Sequence, residues 1–249
     1  MSDSAARDTS HDKSGKKSSQ EQARDQTSKL IESALSNGEL NNTFDDVTNR
    51  LVKRLESFSK ELSVDYHIVL TSDKLNARYS IIEGKNPNYA YKELDFGIVG
   101  SLLKQRRSKY QSLFVQFKFS SEFPVVAYSE SENQKIEKLS SIMVTKLLGK
   151  DNDPVWNSQK KDFAIAASLI KDKNGKPIGA CSIDFSTNGL FPDFSFRKDE
   201  VEEVFDILYT FKLIFEKLIY MDSSESSIIE SSMKNVIDII RGSESDEQY

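Results

Sequence analysis

The stretch that decides the fold is FAIAASLIKDKNGKPIGACSIDF, from Phe163 to Phe185. Two apolar runs flank a polar turn at residues 172–175. Asn174 and Gly175 are residue types that tolerate the positive φ of a tight turn, so the pattern predicts a β-hairpin. Charged residues fall only at the ends of the runs, whereas a strand wet on one face alternates with polar residues. We therefore expect a hairpin at the centre of a sheet covered on both faces.

The ends of the chain set the limits of the folded part. Residues 1–27 contain no aromatic residue, no Leu and no β-branched aliphatic residue, so they predict a disordered N-terminal arm. The remaining expected segments are a linker at 28–42 with a short helix ended by Asn37 and Gly38, a folded domain at 43–221, an amphipathic C-terminal helix at 222–241 and an acidic tail at 242–249.

Two long helices are predicted, one before the strands along the chain and one after them. The helix at 43–62 begins at Thr43 as N-cap and carries one narrow apolar stripe. The helix at 197–221 has an apolar arc of roughly 180°, which is wider than one core contact needs. This width predicts a homodimer, whose interface residues are Ile207, Ile214 and Leu218.

Between these helices the periodicity predicts further strands and helices. They are a hairpin of strands 64–71 and 77–83, a glycine-containing helix at 94–107, a half-exposed strand at 110–119, a strand at 123–128 and a helical segment at 129–150. The expected fold is therefore α/β (α+β). A mostly antiparallel central sheet of about five or six strands carries the terminal helices on one face.

This element order resembles that of the GAF family, a small-molecule sensing module. The resemblance covers about residues 44–220 and rests on two motifs: DFGIVGSLL, from Asp95 to Leu103, is similar to the family's glycine-containing helix beside the pocket, and the hairpin at 163–185 is similar to its last hairpin. The PAS fold is the nearest competitor, but PAS domains group their helices in the middle of the chain. The resemblance implies a ligand-binding, signalling domain.

Composition excludes several classes of function. The net charge of −5 argues against nucleic-acid binding, because phosphate contacts need a basic face. No apolar run approaches the length of about 18 residues that a membrane span needs. The single cysteine, Cys181, makes no internal disulfide, which favours a reducing, cytoplasmic setting.

Catalytic and cofactor signatures are weak. The two histidines are His11, in the polar arm, and His67, so no His and Cys cluster is expected to hold a metal. Cys181 lies in an apolar strand, where an inert buried thiol is favoured over a nucleophile. The NKxnFx3DE signature of cyclic-nucleotide GAF domains is missing. The nearest partial match to it is Asp162 and Phe163. We expect no catalytic residues, no metal and no cofactor.

A ligand pocket is expected on the sheet face opposite the long helices. Its candidate lining residues are Phe96, Val99, Tyr128, Trp156, Ala166, Ser168 and Asp184. The aromatic side chains would stack on a ligand, and Ser168 and Asp184 would fix a polar group. The alternative is that the aromatics fill a small core and Asp184 caps a turn.

Two functions are consistent with these patterns. The first is a non-enzymatic cytoplasmic regulatory protein that binds a small ligand and signals through its terminal helices to an unidentified partner protein. The alternative is a dimeric scaffold or adaptor with a closed pocket. A lid at Gly97 and Gly100 that opens readily would favour the first.

Overall fold

The computed structural model describes residues 19–37, 40–72, 98–99, 102, 110–117, 124–140, 142–144, 162–187, 194–220, 235 and 238–239. Its helices are α1 (Ser19–Asn37), α2 (Leu40–Leu62) and α3 (Lys198–Tyr220). Its strands are β1 (Asp65–Ser72), β2 (Tyr110–Phe117), β3 (Pro124–Ser131), β4 (Ile136–Lys138), β5 (Asp162–Lys171) and β6 (Pro177–Ser186). Shorter helical stretches include residues 98–99, 102, 142–144, 235 and 238–239.

The described strands form one antiparallel sheet in the order β1-β6-β5-β2-β3-β4. The predicted hairpin is confirmed as β5 and β6, and both are interior strands. In its turn the Gly175 amide donates to the Asp172 carbonyl at 2.7 Å, and Gly175 has a φ of 76°. The Asp172 carboxylate accepts from the amides of Asn174 and Lys176 at 2.9 Å each. The turn therefore needs positive φ at the glycine, whereas Asn174 does not adopt it.

Helices α2 and α3 lie on one face of the sheet, as predicted, but α2 begins at Leu40 and not at the predicted N-cap, Thr43. The apolar stripe of α2 and the inward side of α3 join one buried cluster with alternate residues of β5 and β6. Its densest part is aromatic, because Phe196 contacts the rings of Phe58, Phe114, Phe163, Phe185 and Phe194 at 5.0 to 6.2 Å between centroids. The α+β fold class, with terminal helices on one face, is confirmed.

The expected disordered arm is wrong for residues 19–27. These residues form the first half of α1, and Arg24 and Ile31 are buried against the rest of the chain. The two residues are seven positions apart, which places them on the same side of a helix. Residues 1–18 lie outside the described part. The short helix was expected to end at Asn37, and α1 does.

Two predictions in the middle of the chain are also corrected. The strand predicted at 110–119 is not half exposed, because every residue of β2 is buried between neighbouring strands and covering layers. The segment predicted as helical from 129 begins instead with the end of β3 and with β4. Antiparallel pairing with β3 holds Ile136 in a strand, where local periodicity predicts a helix. The expected strand at 77–83 lies outside the described residues.

Candidate functional site

The two faces of the sheet have separate cores. In β5, Ala164, Ala166 and Ile170 belong to the cluster under α2 and α3, while Ile165, Ala167 and Leu169 belong to a second cluster on the opposite face. This division follows from the two-residue period of a strand. The second cluster is covered by apolar residues of the helical stretches and of the segment after β4: Ile98, Leu102, Leu139 and Val144. Packing therefore covers the helix face and the part of the opposite face over β2, β3 and β5.

The predicted ligand residues do not converge on one site. Tyr128 and Ala166 are buried in the core on the helix face, and Ser168 lies on that face too, because it has the same strand parity as Ala166. This corrects their assignment to the opposite face. The reason is register: the sequence shows alternation along β5 but does not say which parity faces the helices.

Val99 and Asp184 do lie on the face where the pocket was expected. Val99 packs against the second cluster. Asp184 sits between Ile183 and Phe185, which both point into the helix-side core, so Asp184 points the other way. The remaining two candidates, Phe96 and Trp156, lie outside the described residues.

The predicted dimer interface is corrected as well. Ile207 and Ile214 are 0% exposed, because they pack inside the core of this single chain. The wide apolar arc of α3 is explained by contacts with α1, α2 and the sheet. The Leu218 side chain lies outside the described part of α3.

A polar pair lies on β6, on the sheet face opposite the helices. Ser182 donates a hydrogen bond through Oγ to Asp184 Oδ1 at 2.9 Å. In the register, these residues lie beside Ala167 and Ile165 of β5. Alanine side chains at 167 and 180 occupy little space there. A carboxylate in such surroundings accepts hydrogen bonds from amine or hydroxyl groups.

A second and larger polar cluster is buried on the helix face. Arg24 of α1 donates through Nη1 to Glu130 Oε1 at 2.5 Å and through Nε to Asp206 Oδ1 at 2.8 Å. The Arg24 and Glu130 side chains are only 4% and 2% exposed. One guanidinium therefore joins α1 to β3 and to α3.

Hydroxyl groups of the sheet hold the carboxylate of this cluster in place. Ser112 donates through Oγ to Glu130 Oε2 at 2.9 Å, and Ser168 Oγ lies 3.1 Å from Ser112 Oγ. Both Glu130 oxygens thus have partners. The Tyr209 ring adds a further contact, since the Arg24 guanidinium carbon lies 4.7 Å from the ring centroid.

Burial and charge shift the pKa values of these groups. Burial alone lowers the pKa of Arg24, but the charges of Glu130 and Asp206 outweigh it and raise that pKa above its usual value. Two turns beyond Tyr209 on α3, burial raises the pKa of Glu216, although the nearby Lys212 lowers it. Burial also raises the pKa of Tyr209. The arginine therefore stays charged while its surroundings are poorly hydrated.

The sequence reasoning missed Arg24, Glu130 and Asp206. The signal for Arg24 was its spacing of seven from Ile31 in a segment of helix-favouring residues. The signal for Glu130 was its place at the end of the apolar run VVAYSE, where a carboxylate is unusual. Neither signal names the partner.

Other chemical groups in the described residues are limited. Cys181 is fully buried, and burial raises the pKa of its thiol to about 12. Within those same ranges no group of three or more His, Cys, Asp or Glu side chains is arranged to hold a metal ion. No helix in the described part is long and apolar enough to cross a membrane.

No protein-family model matches the chain, and no curated protein matches it in sequence. Among solved structures, the chain is similar to the phycoerythrobilin-bound GAF domain from a cyanobacterial phytochrome, at 10% sequence identity. The likeness covers 80% of this chain and 97% of that chain, with a TM-score of 0.35. The function of this chain therefore has to rest on its own packing and polar contacts.

Proposed function

We propose that the chain is a non-enzymatic cytoplasmic regulatory domain that binds a small ligand on the sheet face opposite α2 and α3 and signals to a partner protein. The observation that carries this proposal is the hydrogen-bonded pair of Ser182 and Asp184, which lies beside the apolar side chains of β5 on this face. Ligand sites in proteins combine an apolar lining with a few placed polar groups. An acidic acceptor favours a ligand with amine or hydroxyl groups.

Strand β6 supplies a physical route from this face to the helices. Its residues alternate, so Ser182 and Asp184 face the ligand side while Cys181, Ile183 and Phe185 pack in the core with α3. The Cys181 Sγ lies 3.9 Å from the Leu208 carbonyl of α3. A shift of β6 on ligand binding would move side chains that touch α3, because a close-packed core transmits strain.

Catalysis forms no part of the proposal. Cys181 is the one thiol of the chain, and a group with a pKa of about 12 supplies almost no nucleophilic thiolate near neutral pH. A lone reduced cysteine in a core also suits a reducing compartment. These two features support a binding role in the cytoplasm.

The test is to identify small molecules that co-purify with the protein from its native cells. Denaturation of the purified wild type should release a low-mass compound that mass spectrometry detects. The Asp184→Ala protein should carry much less of this compound. Asp199→Ala is the control, because Asp199 is an exposed carboxylate at the start of α3. Wild-type protein that carries no compound, or equal retention by Asp184→Ala, would contradict the proposal.

A closed scaffold is the second candidate. It is favoured by the four buried apolar side chains at 98, 102, 139 and 144, which already cover the half of this face over β2, β3 and β5. Hydrogen exchange distinguishes the two functions. If the amides at 98–102 in ligand-free protein are as protected as those of β5 and β6, the scaffold is correct; faster exchange that slows with the retained compound supports the regulatory domain.

A further inference from the structure

The cluster on the helix face has the composition of a guanidinium-binding site. Two carboxylates, from Glu130 and Asp206, flank one arginine fork, and the Tyr209 ring lies against it. Carboxylate pairs and aromatic rings are the groups that proteins use to recognise the planar guanidinium ion. The arginine that occupies this site, Arg24, belongs to α1. The three residues that contact it, Glu130, Asp206 and Tyr209, belong to the sheet and α3.

The site is held in shape by residues other than its occupant. Ser112 of β2 fixes the second oxygen of Glu130, and Ser168 of β5 lies beside Ser112. Asp206 and Tyr209 are one helical turn apart on α3 and are both half-buried. Because these supports do not involve Arg24, they lower the cost of binding another guanidinium at the same place.

The site does not satisfy every donor of its occupant. Arg24 Nη2 lies 2.7 Å from Asp206 Oδ1, which already accepts a hydrogen bond from Nε of the same guanidinium. The angle at Nη2 does not suit a hydrogen bond, so among the described residues this buried nitrogen has no acceptor. Asp206 is 24% exposed, so this side of the site reaches solvent.

The buried contacts of helix α1 are concentrated on two of its described side chains. Among its residues 22–33, whose side chains are described, only Arg24 and Ile31 are buried, and Leu30 is 51% exposed. The ion pair between Lys217 and Glu32 spans 3.5 Å at the surface, where such pairs contribute little. Arg24 and Ile31 are therefore the buried side chains through which the described part of α1 docks.

We infer that Glu130, Asp206 and Tyr209 form an exchangeable guanidinium-binding site, which Arg24 occupies within the chain and an arginine-bearing helix of a partner protein occupies when α1 leaves. The charge left behind by α1 is the argument for this partner: two carboxylates that lose their cation leave negative charge at the site, which favours a positive ligand. The inference is independent of the proposed function, because it concerns the opposite face of the sheet.

Chemical rescue tests the site. Arg24→Ala removes the side chain beyond Cβ, and ethylguanidinium replaces the missing atoms. Millimolar ethylguanidinium should raise the Tm of Arg24→Ala by several degrees and leave the wild type unchanged, while ethylammonium, with the same charge and no fork, should not. Lys29→Ala, at an exposed position of α1, is the matched control and should show no rescue.

The double variant Arg24→Ala, Glu130→Gln separates a specific site from a general salt effect. It should lose the rescue, because the Glu130 carboxylate supplies the charge. If Arg24→Ala fails to fold alone, ethylguanidinium should restore folding. Absence of any rescue, or equal rescue by ethylammonium, would overturn the guanidinium site.

Exchange in trans is measured with a labelled peptide of residues 19–37. Tethered α1 competes in the wild type at a millimolar effective concentration, so the peptide should bind Arg24→Ala at least about tenfold more tightly than wild type. In wild-type protein, excess peptide should speed hydrogen exchange in α1 and leave β5 unaffected. A peptide carrying Ala at position 24 should bind neither protein. Equal binding of both peptides would overturn the exchange.

Discussion

The Gln116 side chain holds the chain at Phe196, 80 residues later, through two hydrogen bonds. The Phe196 amide donates to Gln116 Oε1 at 2.9 Å, and Gln116 Nε2 donates to the Phe194 carbonyl at 2.8 Å. The side-chain amide of Gln116 therefore hydrogen-bonds the backbone just before α3. Gln116 itself belongs to β2, which is buried along its whole length. It fixes where α3 begins relative to the sheet.

Gln116→Leu should destabilise the protein. It keeps similar volume but leaves the buried Phe196 amide without a partner, at a cost of about 1 to 3 kcal/mol, and the part-buried Phe194 carbonyl loses its donor at a smaller cost. Urea unfolding followed by circular dichroism measures the loss. Gln26→Leu is the control, since Gln26 is exposed on α1. A Gln116→Leu protein as stable as the control would show that these hydrogen bonds are dispensable.

Phe196→Ala should be among the most damaging core substitutions. Its ring contacts five other phenylalanine rings, and removal of a buried Phe costs about 3 to 5 kcal/mol. Phe194→Ala, at a half-buried ring, should cost clearly less. Guanidinium chloride unfolding measures the free energy of unfolding of each variant. The two losses can be compared if the m-values are the same as in the wild type. Equal losses would mean that Phe196 is not the centre of the aromatic cluster.

The Cys181 thiol should be unreactive in folded protein. With a pKa of about 12, about one thiol in ten thousand is ionised near pH 8, and the side chain is fully buried. Iodoacetamide should leave native protein unmodified and alkylate it after denaturation, as read by intact mass. Fast labelling without denaturant would show that β6 opens locally.

Glu216→Gln should stabilise the protein at neutral pH. Burial raises the folded-state pKa of Glu216 above its usual 4.5, against the opposing effect of Lys212. Its contribution is therefore most favourable below the unfolded pKa and is lost as pH rises through the folded value. Gln still accepts from the Lys171 amide, as Glu216 does at 2.9 Å.

Melting curves at two pH values test this sign. The Tm advantage of Glu216→Gln should be present at pH 7 and absent at about pH 4, where the unfolded carboxylate is also protonated. Glu203→Gln, at an exposed ion pair with Arg54, should change little at either pH. A lower Tm for Glu216→Gln at pH 7 would show that the Lys212 charge outweighs burial.

Two truncated chains should distinguish the contribution of α1 to stability from that of the residues before it. A chain that starts at Ser19 keeps the whole of α1 and should melt like the full protein. A chain that starts at Ser28 loses Arg24 and leaves the buried Glu130 carboxylate without its cation, so its Tm should fall by several degrees, at about 2 to 4 °C per kcal/mol. Equal melting of the two would restore the view that residues 19–27 contribute nothing to folding.

Much of the fold was predictable because its signals are local. The hairpin of β5 and β6, the apolar stripe of α2 and the extent of α3 follow from periodicity and turn residues within single elements. The strand at 129–131 and β4 were not predictable in this way, because pairing with a distant partner overrode a helical pattern. The start of α1 was missed because one buried arginine carries no apolar signal.

The candidate site was only partly predictable. Asp184 and Val99 lie on the expected face, but Tyr128, Ala166 and Ser168 do not, since a strand's sequence gives alternation without telling which face meets the helices. The polar side chains Arg24, Glu130 and Asp206 lie far apart in sequence. Their attraction depends on distance and burial, neither of which a linear pattern contains.

The sequence by itself determined the α+β class, the central hairpin with Gly175 in its turn, and the two long helices, because each depends on residues close along the chain. Only the tertiary structure decided that Ile207 and Ile214 are interior residues and that Arg24 pairs with Glu130 across 106 positions. The physical reason is that burial and ion pairing arise from the packing of whole elements against one another. No segment can express them alone.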